Sequence, residues 1–123
     1  MRLETERWLA MADEDWQVAA LALSAGYRNA FVFHAHLSVE KVLKALIIEA
    51  TGNDVPPFSH NLLFLASRAG LFLPDNVKAL LRRLTPLGTD ARYALSGQYE
   101  DENCAVLVAN VDEALVWLRQ QLN

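Results

Sequence analysis

The chain has 123 residues, of which 53% are hydrophobic and 21% are charged, a balance typical of one compact domain covering residues 1–123. No apolar run reaches the roughly 20 residues that a membrane-spanning helix needs, and the acidic amino terminus leads us to expect no signal peptide. A net charge of -4 argues against a protein that coats nucleic acid unselectively, and the single cysteine, Cys104, cannot form an internal disulfide, so we expect a cytoplasmic protein.

Two long helices are predicted in the first half of the chain. The first covers residues 4–24, where tryptophan, alanine and leucine recur on one face, and Gly26 ends it. The second covers residues 28–50. Its apolar residues spread over an arc much wider than one stripe, so we expect it to be the central helix, contacted on more than one side. Gly52 ends it, and the short turn between the two helices predicts an antiparallel pair.

Two short helices are predicted next, after a connection that contains two prolines. The first of them covers residues 60–69, with Ser59 as its N-cap. The second begins at Pro74 and Asp75 and continues to about Leu84, where Pro86 and Gly88 are expected to stop it.

A further long helix is predicted at the end of the chain, over residues 102–122. Residues 86–101, which precede it, have no clear periodicity, and a loop of that length in a small domain is more often functional or dimer-forming than idle. No alternating pattern indicates a strand. The sequence therefore predicts an all-α fold, an up-and-down antiparallel bundle of about five helices, three long and two short.

Polar side chains interrupt the apolar central helix, and they are the first candidates for function. A charged group on a buried helix must face a seam, a cleft or a partner. Glu40 and Lys44 have the spacing of an intrahelical ion pair, and together with Lys41 they are equally suited to line a groove. His36 and Glu40 lie one turn apart, but further metal donors occur only in remote segments, so we expect no metal and no cofactor.

Several motifs occur in the order and spacing of a known family. They are a first helix with Trp and Asp, a turn at Gly26 and Tyr27, EKVLKAL at 40–46, Ser59 and His60 after a Gly- and Pro-containing loop, and Arg92 followed by Tyr93. From about Trp8 to Leu118 the chain resembles the HEPN domain, whose name stands for higher eukaryotes and prokaryotes nucleotide-binding. The resemblance implies a helical bundle that pairs into a homodimer.

The resemblance also implies a choice of functions. The first is binding of a nucleotide or single-stranded RNA, or docking of a nucleotidyltransferase partner, in some relatives as a toxin-antitoxin module. The second is a metal-independent endoribonuclease that uses an arginine and, four to six residues later, a histidine. The third is a non-catalytic homodimerisation module. Of these three functions, we expect ligand binding or partner docking rather than catalysis. We expect no membrane as a partner.

The binding interpretation and the endoribonuclease interpretation each predict candidate site residues. The residues on the family's recurrent positions predict a ligand-binding groove of Glu40, Lys41, Lys44, His60, Arg92 and Tyr93. Arg28 and His34 have the spacing of the catalytic pair, although six helical residues separate their directions by about 120°. Structural roles are the alternatives: His34 packs with a hydrogen bond, His60 orients its loop, Arg92 forms an ion pair, and Tyr93 fills the end of the bundle.

Overall fold

The computed structural model describes residues 1–91 and 101–122, and within them the chain forms five helices. They are α1 (Leu3–Ser24), α2 (Arg28–Thr51), α3 (Leu62–Arg68), α4 (Asp75–Ala91) and α5 (Asp101–Gln120). This part of the chain contains no strand, and the predicted all-α, up-and-down antiparallel bundle is confirmed. None of these helices combines the length and the apolar character needed to cross a membrane.

The pair formed by α1 and α2 is closed by a glycine, as predicted. Gly26 has a φ of 87°, a left-handed conformation that strains a residue with a Cβ, and the Tyr27 amide donates to the carbonyl of Ala22 at 2.8 Å. Gly52 ends α2 in the same way, with a φ of 73° and its amide donating to the carbonyl of Ile48 at 2.9 Å. Both predicted helix ends are confirmed.

The central position of α2 is also confirmed, because it contacts all four other helices. Apolar side chains over most of its circumference are fully buried, among them Phe31, Val39, Leu43 and Ile48, whereas Phe33 and Leu37 are partly exposed. Burial of each such side chain stabilises the fold by roughly 1.5–3 kcal/mol. A helix enclosed in this way gives its polar side chains no route to solvent except at its edges, so their partners must be found inside the bundle.

The third helix begins two residues later than predicted. The side chain of Asn61 accepts a hydrogen bond from the amide of Phe64 at 3.1 Å, so Asn61 is the N-cap of α3. The hydroxyl of Ser59, the predicted N-cap, instead accepts from the amide of Asn61 at 3.1 Å. Both residue types favour the N-cap position, and Ser59 orders the connection before the helix.

The fourth helix continues through Pro86, so the prediction that this proline ends it was wrong. The buried stripe of α4 continues with Leu84, Gly88 and Ala91, and its burial favours helix beyond the proline. Pro86 lies on the exposed side of the helix, where water can replace the missing backbone hydrogen bond. Residues 86–91 are therefore helical, whereas residues 92–100 of the predicted loop lie outside the described residues.

The last helix packs through an apolar stripe, and three side-chain hydrogen bonds tie it to α1 and α4. Leu107, Val111, Ala114 and Leu118 form its buried stripe. The Arg119 guanidinium donates to the Asp13 carboxylate and to the carbonyl of Leu9, both in α1, and the Asn76 amide of α4 donates to Glu113. The two ends of the chain thereby close the bundle around α2.

Candidate functional site

A buried carboxylate, Glu40, forms the centre of the main polar cluster. Its Oε1 accepts from Nδ1 of His60 at 2.7 Å, and its Oε2 accepts from Nζ of Lys44 at 3.2 Å. The side chains of Glu40 and Lys44 are 5% and 7% exposed, whereas that of His60 is 53% exposed. The two opposite charges compensate each other inside the bundle, and the cluster reaches the surface at His60. We call these three residues the Glu40 cluster.

His36 connects the Glu40 cluster to α4. Its Nε2 donates to the backbone carbonyl of His60 at 3.0 Å, and its Nδ1 lies 3.7 Å from Oε1 of Glu40. Gly88 packs directly on the imidazole, so that a Cβ at this position would overlap the ring. The close approach of α4 at Gly88 fixes the ring of His36. The hydrogen bond from this ring to the carbonyl of His60 then holds the connection before α3 in place.

The first helix contributes an aromatic ring to the same cluster. The ammonium of Lys44 lies 5.7 Å from the centroid of the Trp8 ring, a distance at which a cation and an aromatic face attract each other. Such a contact is worth about 0.5–1 kcal/mol at an exposed site and about 2 kcal/mol or more where water is excluded. The charge of Lys44 is therefore balanced by Glu40 on one side and by Trp8 on the other.

A second polar cluster lies between α1 and α2. Asp15 accepts from Nδ1 of His34 at 3.0 Å and from Nζ of Lys41 at 2.6 Å. Their side chains are 11%, 28% and 23% exposed, so the cluster is partly open to solvent. We call these residues the Asp15 cluster. An ion pair in this position is screened less than one on the open surface.

The predicted ligand-binding residues are thus only partly together. Glu40, Lys44 and His60 meet in the Glu40 cluster, as the predicted groove requires, and Glu40 and Lys44 form the expected ion pair. Lys41 lies instead in the Asp15 cluster. Arg92 and Tyr93 lie outside the described residues. Whether any of them binds a ligand stays a prediction.

The predicted catalytic pair lies on one helix. Arg28 is the first residue of α2, and His34 follows six positions later in the same helix, so within one chain they point about 120° apart. His34 has the satisfied hydrogen bond that its structural alternative required. Their joint action in catalysis stays a prediction that needs a second copy of the chain.

Sequence reasoning missed three residues that shape these clusters. Asp15 lies on the buried face of α1 next to Ala12 and Ala19, and an acid in such a position signals a buried partner. Gly88, predicted to help end the fourth helix, instead continues the buried stripe of α4. For Trp8, no sequence pattern indicated that the Lys44 ammonium would lie over its ring.

An apolar cleft lies apart from both clusters, between α4, α5 and the start of α2. Its volume is about 350 Å³, and its lining includes Val32, Leu87 and Leu107, with Arg83 and Asp90 at the rim. None of the described site candidates lines it. Over residues 1–91 and 101–122, no three His, Cys, Asp or Glu side chains are grouped to hold a metal ion.

Comparison with known proteins decides the family. The model of the HEPN domain matches residues 5–121, nearly the whole chain. The chain belongs to the HEPN family. The crystal structure of an archaeal HEPN homologue superposes with a TM-score of 0.77 at 22% identity, over 97% of this chain and 98% of that one. At that identity the likeness shows the HEPN fold alone, and no curated protein matches the chain.

Membership of the HEPN family supports a general role connected with nucleotides or RNA. Both polar clusters lie within the matched residues, so they are part of this HEPN domain and not of an appended segment.

Proposed function

We propose that this HEPN domain binds a nucleotide or single-stranded RNA through a phosphate group at His60. The observation that carries the proposal is that His60, half exposed at the surface, is anchored through Nδ1 to the buried carboxylate of Glu40. With Nδ1 donating to Glu40, the imidazolium form of His60 has a second N–H, on Nε2, that is suited to donate a hydrogen bond to a phosphate.

Lys44 makes this position acceptable to an anion. A lone carboxylate behind His60 would repel a phosphate, but the ammonium of Lys44 lies 3.2 Å from Glu40 and cancels its charge. The Glu40 cluster is then neutral with a neutral His60 and positive with a protonated one. Arg92 and Tyr93 are proposed to add a guanidinium for the phosphate and a ring for the base. Lys41, whose ammonium pairs with Asp15, is proposed as a further cation of the groove.

The test is a titration of a mononucleotide, its phosphate-free nucleoside and short single-stranded RNA against the wild type and His60→Ala. Loss of one charge-assisted hydrogen bond should weaken binding of the phosphate-containing ligands about tenfold and leave the nucleoside unaffected. Gln17→Ala, which removes an exposed polar side chain of α1, is the control and should bind as the wild type does. Equal binding by wild type and His60→Ala would remove His60 from the site, and the same comparison with Arg92→Ala tests Arg92.

We also propose a homodimer that docks a nucleotidyltransferase partner in a toxin-antitoxin module. The support is the family membership, since HEPN domains are often dimeric. A short nucleotidyltransferase gene beside this one would identify the partner to use. Co-expression should then give one complex with two copies of this chain. Separate elution of the two proteins, or a monomeric chain, would contradict the proposal.

A second candidate function, metal-independent RNA cleavage, is favoured by the Asp15 cluster. The carboxylate of Asp15 holds Nδ1 of His34, which fixes the imidazole and leaves Nε2 as the nitrogen suited to move a proton. Arg28 of a second copy would have to supply the guanidinium that stabilises the charge on the phosphate. The double variant Arg28→Ala/His34→Ala should abolish cleavage of labelled RNA in the presence of a chelator. Unchanged cleavage would reject this pair as the catalytic centre.

A further inference from the structure

Positive charge is concentrated in one segment of this acidic chain. Residues 55–89 hold four basic side chains, Arg68, Lys78, Arg82 and Arg83, and a single carboxylate, Asp75, which gives a formal charge of +3 in a chain of net charge -4. All five side chains are exposed. Such an asymmetry indicates an anionic partner for this segment.

The same segment exposes three phenylalanines. Phe58 and Phe72, which precede and follow α3, are 99% and 96% exposed, and Phe64 within α3 is 43% exposed. Phenylalanine is normally among the buried residue types, so almost complete exposure of two rings on either side of one short helix needs a reason. Phe58 and Phe72 bury almost none of their surface within the described part of the fold, so their burial is left for a partner.

Each exposed ring lies near a basic side chain. The guanidinium of Arg68 lies 5.9 Å from the centroid of the Phe64 ring. Arg68 also shares a surface cleft with Phe58, and Lys78 shares another with Phe72. Arg82 follows Lys78 by one helical turn, on the same side of α4. An aromatic face beside a cation suits a nucleotide, because the base stacks on the ring and the phosphate pairs with the cation.

We propose that this region, the α3 surface of Phe58, Phe64, Arg68, Phe72, Lys78 and Arg82, binds single-stranded RNA by stacking bases on the three rings. His60 lies between Phe58 and the N-cap of α3, so a strand on this surface extends from the proposed phosphate site. The inference therefore rests on the proposed function and adds the strand to it.

The test measures the affinity of a fluorescent single-stranded RNA by anisotropy, for the wild type and for alanine variants at Phe58, Phe64 and Phe72. Each ring should contribute about fivefold or more to the affinity. Substitution of Arg68 or Lys78 by glutamine should reduce the salt dependence, with the slope of log K against log salt decreasing by about 0.7 for each lost phosphate contact. Leu21→Ala and Val116→Ala, which remove exposed apolar side chains of α1 and α5, are the matched controls and should bind as the wild type does.

Three results would overturn the inference. The first is an unchanged RNA affinity in the triple phenylalanine variant. The second is a change of that variant's oligomeric mass with RNA binding intact, which would make the α3 surface a protein interface. The third is a wild type that binds no RNA at all. Mononucleotide binding that depends on His60 but not on the rings would leave the proposed function standing without the α3 surface, and RNA binding that depends on the rings but not on His60 would do the reverse.

Discussion

The substitution Glu40→Gln tests the buried ion pair at the centre of the bundle. Glutamine keeps the size of the side chain and an acceptor for hydrogen bonds, but it removes the charge that compensates Lys44. The side chain of Lys44 is only 7% exposed, so its ammonium cannot recover the lost interaction from water without disturbing the packing of α2. The variant should therefore be markedly less stable than the wild type.

The structure sets the size of this effect. Loss of one partner of a buried pair costs about 3–5 kcal/mol, because the remaining charge is left without compensation. The ring of Trp8 stays close to the Lys44 ammonium and offsets part of the cost, so the lower end, about 3 kcal/mol, is expected. That is a large fraction of the roughly 5–15 kcal/mol by which a native domain is stable.

The assay is urea unfolding followed by tryptophan fluorescence and circular dichroism, in a double-mutant cycle with Lys44→Met. The double variant replaces the pair by neutral side chains, so it should recover most of the stability, with a coupling of about 2 kcal/mol or more. Glu4→Gln, in the exposed pair with Arg7, is the control and should change stability by less than about 1 kcal/mol. A nearly neutral Glu40→Gln, or strictly additive single effects, would refute the reasoning.

Two further predictions concern stability. Gly88→Ala should destabilise the fold by about 1–3 kcal/mol, although alanine normally favours a helix, because its Cβ meets the ring of His36; thermal unfolding measures this, and addition of His36→Ala should relieve it. The backbone amide of Arg2 and the hydroxyl of Thr5 donate to Glu49 at 2.9 Å and lower its pKa. The contribution of Glu49 to the free energy of unfolding is therefore present above the ordinary pKa of glutamate and is lost as the pH falls through the lowered pKa. Urea unfolding across that range should show the stability difference between wild type and Glu49→Gln shrinking in acid, and a constant difference would contradict the assignment.

Local sequence signals determined much of the fold. Gly26 and Gly52 end their helices because each adopts a left-handed conformation after the last turn. Glycine is the residue type that adopts this conformation most easily, so the sequence alone predicts both ends. The end of α4 could not be predicted in this way. Pro86 is a strong local signal to stop a helix, but the burial of the residues beyond it outweighed one lost hydrogen bond on the exposed side.

The candidate site was predictable where its residues share a helix. The four-residue spacing of Glu40 and Lys44 indicates an ion pair within one helix, independently of how the other helices pack. The contact of His60 with Glu40 depends on how the connection before α3 packs against α2. The ion pair of Lys41 with Asp15 depends on how α1 packs against α2. Both are set by packing between segments far apart in sequence, which no local spacing contains.

The most direct test of nucleic-acid binding on this side of the bundle is an NMR titration of the amide resonances with a single-stranded RNA on the order of eight nucleotides long. The expected result is a set of shifts concentrated at Phe58, His60 and α3 and at the first turns of α4, with few changes on the outer faces of α1 and α5. Shifts confined to α1 and α5, or no shifts at saturating RNA, would contradict binding at His60 and the α3 surface.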